Sequence, residues 1–445
     1  MNKIISFLIL FFTILLIFAS TILIKYSIDS KNHRKDKTVL YYYSKGMAAY
    51  NKKDYPLFVK YLKKAVELAP FNPNLLYNLA RAYALQGNKS ESLKLLQQCV
   101  ELGFYFNSVN SAFNENEFKD FTNIKETDAF KFILKKIQRM NNPIINSQTA
   151  FNISEKDLMP EGIAYDAIEQ AFYIGSGYKR KIISIDKKGS ITNFTAEKQD
   201  GIWNVWGLKV DAKRRILWAN SSPWYGMKGF KQNNFGYTGV FKYDLTKKIL
   251  IKKYIIDERP ILHEFNDLVV NSRGDVFITD DLFDAIYKIS NKNDALELFL
   301  KPDRFTYPNG ITLSQDERFL YIAHKEGVLV VNLSTKSYYP LSHPANISLC
   351  DIDGFYFYQN SLIAIQGTYR PPRLVRFYLN DSLIEIDRAE IIESGNPLLM
   401  LPTTGVIIGN TFFYIANSQL NCYTKENKIF PLDKLHNIFI LKTEL

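Results

Sequence analysis

Six segments in the last two-thirds of the chain open on a residue that stands at the same phase of a repeat. The opening residues are Glu161, Trp206, Asn266, Asn309, Asp353 and Thr404. Four of the six, Glu161, Asn266, Asn309 and Asp353, carry side-chain oxygens: two carboxylates and two carboxamides, the donor type a hard cation selects. Asn and Asp before Gly also form turns, so each residue alone reads as structural. Four at one phase of a repeat read instead as donors to one divalent cation. Two carboxylates buried together without a cation would be costly.

The elements that must position these residues follow from periodicity. From residue 151 to the C-terminus apolar residues alternate with period two, the mark of half-buried strands. Each opening residue leads into a strand such as Glu161-Gly162-Ile163-Ala164-Tyr165-Asp166. A polar turn and a second strand follow, as in Ala171-Phe172-Tyr173-Ile174 or Phe319-Leu320-Tyr321-Ile322. The openings are spaced 45, 60, 43, 44 and 51 residues apart, which predicts one four-stranded blade per unit and a six-bladed β-propeller over residues 151–445. In such a ring the first strand of each blade lines the central channel, and its first residue stands at one mouth. The long second spacing holds an insertion, residues 224–236, expected as a loop over that mouth. Trp203, Trp206, Trp218 and Trp224 fall in the same blade and read as core or as an aromatic wall.

Before the propeller the period changes to 3.6. Residues 38–140 read as helical, and Ala65-Val66-Glu67-Leu68 lies 34 residues before Cys99-Val100-Glu101-Leu102. Pro70-Phe71-Asn72-Pro73 interrupts the helices between the two units. A helix-turn-helix unit of this length resembles the tetratricopeptide repeat, which implies a groove for a protein partner or a spacer. Phe113, Phe118, Phe121, Phe130 and Leu134 are expected to cap the stack. Residues 141–150 are turn-rich and read as a linker. The fold class is thus multidomain: an N-terminal transmembrane helix, all-α repeats, then an all-β propeller.

That transmembrane helix is expected in residues 1–25. No charge interrupts residues 4–24, and such a run matches the hydrocarbon thickness. A signal peptide is the rival reading. The expectation is a single-pass membrane protein with its body outside the cytoplasm. The formal net charge of +11 is scattered over the chain, without the basic and aromatic interleaving of a nucleic-acid groove. Three cysteines, Cys99, Cys350 and Cys422, are too few for a disulfide framework.

Pro160-Glu161-Gly162-Ile163, Phe265-Asn266-Asp267, Pro308-Asn309-Gly310-Ile311 and Asp353-Gly354 resemble the senescence-marker-protein/gluconolactonase-like propellers, a clan that includes paraoxonases and strictosidine synthase-like proteins. The resemblance implies one divalent cation, most often Ca²⁺, held by Glu161, Asn266, Asn309 and Asp353. It also implies polarisation of a lactone or ester carbonyl, with Asp353 assisting attack by water. The chain departs from the pattern in two places. Trp206 stands where paraoxonases place a channel His, and Glu264-Phe265 stand where gluconolactonase-like enzymes carry a sugar-acid-binding Arg. His263, three residues before Asn266, is a candidate catalytic participant from the mouth. Two functions stay open: a metal-dependent lactone or ester hydrolase, and a non-enzymatic interaction scaffold with a structural metal. A solute-binding or sensor propeller is a third.

Overall fold

A computed structural model describes residues 38–105, 115–140 and 142–445. Helices α1 (Val39–Asn51), α2 (Tyr55–Leu68), α3 (Pro73–Leu85) and α4 (Lys89–Glu101) form two antiparallel pairs. Their starts are written in the sequence. Thr38, Asp54, Asn72 and Asn88 each turn a side-chain oxygen onto a first-turn N–H, and Pro56 and Pro73 sit where a helix needs no N–H. A 3₁₀ turn (Glu115–Phe121) and α5 (Asp128–Met140) close the stack. There Phe118 and Phe121 pack on Phe130 at 5.6 and 5.9 Å, as expected of a cap. Phe113 lies outside the described residues.

Twenty-four strands follow in six four-stranded antiparallel sheets. Five blades run in chain order, over residues 160–193, 204–256, 265–300, 311–340 and 355–394, and the sixth contains β23 (Thr411–Ile415) and β24 (Ile438–Glu444). The inner strands are β2 (Pro160–Asp166), β6 (Asn204–Asp211), β10 (Phe265–Val270), β14 (Ile311–Leu313), β18 (Phe355–Tyr358) and β22 (Gly405–Ile408). The sixth blade is ordered β22-β23-β24-β1, so β1 (Gln148–Ile153) supplies its outer strand. The turn-rich segment 141–150 therefore ends inside a strand that closes the ring. Glu393, fully buried, holds the entry to β1 by accepting from Asn146 N, Ser147 N and Ser147 Oγ at 2.9–3.0 Å.

The helical unit docks on blade five. Tyr369 Oη and Arg373 Nη1 donate to Leu102 O at 2.7 and 3.2 Å, and Tyr105 N donates to Arg370 O at 2.7 Å. Asn74 Nδ2 reaches Asp351 Oδ2 at 2.9 Å, and Cys350 and Tyr369 belong to the helical core. These contacts fall on the segment entering β18 and on the loop between β19 (Ser361–Gln366) and β20 (Arg373–Leu379). In an up-and-down blade both lie on the face where inner strands begin. The helical unit and the opening residues thus share one face of the ring.

One expectation is corrected. Among the described residues no helix is long and apolar enough to cross a membrane, so a single-pass membrane protein is not supported. The apolar run 4–24 on which it rested lies outside the described residues. The four Trp of blade two divide between core and rim. Trp218 packs in the core between blades two and three, Trp203 stacks on Tyr237, and Trp206 and Trp224 meet at the mouth. All three cysteines are free.

Candidate metal centre in the propeller channel

The opening residues are aimed by a shared backbone device. In blades one to three the ladder with the second strand skips across Pro160/Ile163, Val205/Leu208 and Phe265/Leu268. Each skip frees two residues from pairing: Glu161-Gly162, Trp206-Gly207 and Asn266-Asp267. A bulge of this kind re-aims side chains beside functional sites. In blades four and five Asn309 and Asp353 stand just ahead of β14 and β18, anchored by N–H bonds to Ala323 O and Ile365 O.

The Gly of each motif is a packing requirement. A Cβ on Gly162 would lie 2.0 Å from Trp206 O, and one on Gly310 would lie 2.1 Å from Asp353 O. Each glycine thus admits the next blade's opening residue against its own backbone. Blade three breaks the rule by placing Asp267 at the glycine phase.

Glu161 is 5% exposed and its Oε2 has no hydrogen-bond partner. Asn266 Oδ1 and Asn309 Oδ1 are also without partners. Burial pushes the Glu161 carboxyl well up, and the Asp353 and Asp267 carboxylates add to the rise while Lys209 opposes it. Asp353 is pushed up to about 7 by burial and by Asp267, against an Asn309 hydrogen bond and Lys325. The structure thus brings Glu161 and Asp353 within electrostatic reach of each other and places Asn309 on Asp353. Asn266 occupies the equivalent bulge of blade three.

His263 is not brought to this group. Its Nδ1 bonds Asp280 Oδ2 at 2.6 Å, its ring rests on Phe283 at 4.6 Å, and Nε2 lies 3.5 Å from Glu258 on the outer side. Asp280, the last residue of β11 (Val276–Asp280), holds the imidazole between blade three and its neighbour, so the structure assigns it no place beside Asp353.

Two site residues escape a reading by opening residue alone. Asp267, 2% exposed with Oδ2 unpartnered, is raised by burial against the pull of Lys209. The missing glycine of blade three was its signal. Tyr356 lies beneath the group, where its phenol accepts Gly405 N at 2.6 Å and feels the Asp267, Glu161 and Asp353 carboxyls. Nothing in its strand pattern marks it.

The donor chemistry fits a hard cation. Unpartnered oxygens of Glu161, Asn266 and Asn309 stand at the inner-strand starts together with the desolvated Asp353 carboxyl, the oxygen donors a hard cation takes. Among the described residues no three His, Cys, Asp or Glu side chains form a group that could hold a metal ion.

The tetratricopeptide repeat family model matches residues 39–72 and 73–102. No curated protein matches the sequence. Among solved structures, a gluconolactonase from Xanthomonas campestris is 14% identical, with a TM-score of 0.44 over 64% of this chain and 86% of that one. A luciferin-regenerating enzyme is 11% identical, with a TM-score of 0.45 over 68% of this chain and 96% of its own. Virginiamycin B lyase from Staphylococcus aureus is 16% identical, with a TM-score of 0.43 over 67% and 99%. At these values the similarity carries no argument about activity, and the six blades rest on the strand order itself.

Proposed function

We propose that the channel mouth holds one divalent cation, Ca²⁺ by its all-oxygen donor set, and hydrolyses a lactone or ester. The observation that carries this reading is the set of unpartnered oxygens on Glu161, Asn266 and Asn309 beside the Asp353 carboxyl. Glu161, Asn266, Asn309 and Asp353 would hold the ion. When bound, the ion supplies Lewis-acid polarisation of a carbonyl oxygen. The protein's own groups do the rest. Asp353 keeps partial exposure while Glu161 and Asp267 are buried, so Asp353 is the carboxyl that water and substrate reach. As a carboxylate beside the ion, Asp353 would take a proton from attacking water and return it to the leaving oxygen. Asn309 orients it by hydrogen bonding. Tyr356 and the buried Asp267 shape the floor and exclude water.

The test is a panel of lactones and esters turned over by the full chain with Ca²⁺ and with chelator. Chelator-sensitive hydrolysis lost in Asp353→Asn supports the reading; hydrolysis indifferent to chelator and to that substitution refutes it. A scaffold reading, with the cation as a staple and a protein partner on the repeats, is favoured by one observation: the helical unit shares a core with blade five through Cys350 and Tyr369. Cation binding without turnover of any panel member would select it.

A further inference from the structure

A second set of unpaired atoms lines the rim of the same mouth, beside the proposed cation ligands. Glu264 precedes β10 and Asp281 follows β11, and both are buried, at 8% and 3% exposure. Asp281 Oδ2 accepts from Asn266 Nδ2 at 3.0 Å, whereas Oδ1 has no partner. Lys325, 5.4 Å over the Tyr307 ring, is turned to Asp351 at 3.8 Å. Among the described residues no Lys or Arg forms an ion pair with Glu264 or Asp281. The Trp206 indole faces Glu264, yet its N–H closes no full hydrogen bond. Asp281 Oδ1 is therefore a buried acceptor with no partner, and the Trp206 N–H a buried donor answered only weakly, by Glu264.

Aromatic rings surround these atoms. Trp224 lies edge-on to Trp206 at 5.8 Å, and Tyr225 lies 4.3 Å from Trp224. Tyr307 lies within electrostatic reach of Asp281, Glu264 and Tyr225. Its backbone is held at φ 54°, a left-handed conformation unfavourable to a bulky residue. Tyr307 N is pinned to Asp284 Oδ1 at 2.9 Å, and the preceding Thr306 is tied to Glu326 at 3.1 and 2.7 Å. Strain held from two sides is typical of a ligand-facing position.

We propose that this rim is a subsite for an organic ammonium group. The cation sits between Glu264 and Asp281 against the faces of Trp224, Tyr225 and Tyr307, and an acceptor on the same ligand takes the Trp206 N–H. An inorganic ion would answer the carboxyls but leave the indole donor unpaired and draw less from the rings. A ligand carrying both an amine and a carbonyl answers all of them. Asn266 belongs to both sets, with Nδ2 on Asp281 and Oδ1 unpartnered. The consequence for catalysis rests on the hydrolase reading: the substrate is then an amine-bearing lactone or ester. The binding itself does not rest on it.

Calorimetric titration of the full chain tests this with 3-aminopyrrolidin-2-one, an amine-bearing lactam that resists hydrolysis, and pyrrolidin-2-one, which lacks the amine. The amine lactam is expected to bind at least about tenfold tighter. Glu264→Gln and Asp281→Asn should each remove about tenfold of that preference, the size of one charge-assisted hydrogen bond. Trp206→Phe should weaken the amine lactam while the fold, read by circular dichroism, stays intact. Equal binding of the two lactams, or a preference unchanged in all three variants, overturns the subsite. So does Ca²⁺ displacing the amine lactam in a manner lost with Glu264→Gln, which would make the rim a second metal site. Amine preference without turnover of the matching amine lactone upholds the subsite and refutes the hydrolase. Turnover without amine preference does the reverse.

Discussion

The interior of the helical unit and the mouth of the propeller both bury charge, and they treat it in opposite ways. In the helices Asp120 receives Arg81 through Nε and Nη2 at 2.8 and 2.6 Å and Tyr50 Oη at 3.1 Å, while Arg81 also bonds Asn78. The Asp120 carboxylate, the Arg81 guanidinium and the Tyr50 hydroxyl are all partnered within this network, as a purely structural ion pair requires. At the mouth, oxygens of Glu161, Asn266, Asn309, Asp267 and Asp281 have none. The difference teaches where a ligand belongs. A completed network gains nothing from one, and an uncompleted one leaves desolvated oxygens open to a ligand or to bound water.

That contrast can be broken in graded steps. The largest expected effect is on the incomplete side. Asp353→Ala and Glu161→Ala should each abolish cation binding and lower chelator-sensitive hydrolysis on the order of a hundredfold or more, read as kcat/KM. On the complete side, Asp120→Ala should destabilise the helical unit by about 3 kcal/mol in denaturant unfolding, by stranding Arg81 in the interior. Cation content should be untouched. A helical unit that unfolds with normal stability in that variant would erase the distinction.

Ring closure offers an intermediate case. Glu393→Ala strands the donors of Asn146 and Ser147 and should cost the propeller about 2 kcal/mol. The pH dependence sharpens the contrast further. Burial raises Glu264 to about 8 and Asp353 to about 7, both above an exposed carboxyl. Between about pH 4 and 8 the folded chain then holds more protons than the unfolded one, so stability of the cation-free protein falls as pH rises. Saturating Ca²⁺ should flatten that fall; a rise instead would show the carboxyls to be paired. The smallest effect belongs to Asn74→Ala, which removes the bond to Asp351 and should cost about 1 kcal/mol without touching cation affinity.

Much of this was legible in the chain. The repeat of Ala65–Leu68 at Cys99–Leu102 and the second strands at Ala171–Ser176 and Phe319–His324 follow from period and turn chemistry alone. So did the phase that brings Glu161, Asn309 and Asp353 to one mouth. Three things were hidden, each because it depends on pairing across a long separation. β1 pairs with β24 (Ile438–Glu444) from the far end of the chain, and its turn-rich start hid it. Asp281 and Tyr307 reach the rim from the ends of other loops, which no spacing announces. His263 was misplaced because proximity in sequence to Asn266 says nothing about Asp280, which lies seventeen residues on and holds the imidazole away.

The central claim is that the unpartnered oxygens at the mouth are cation ligands. Elemental analysis of the purified full chain, followed by Ca²⁺ titration after chelation, tests it most directly. The account predicts about one divalent ion per chain, removed by chelator with a fall in the propeller's melting temperature, restored by Ca²⁺, and absent in Asp353→Ala and Glu161→Ala. A chain that carries no ion, binds none on titration and melts identically with and without chelator would contradict it.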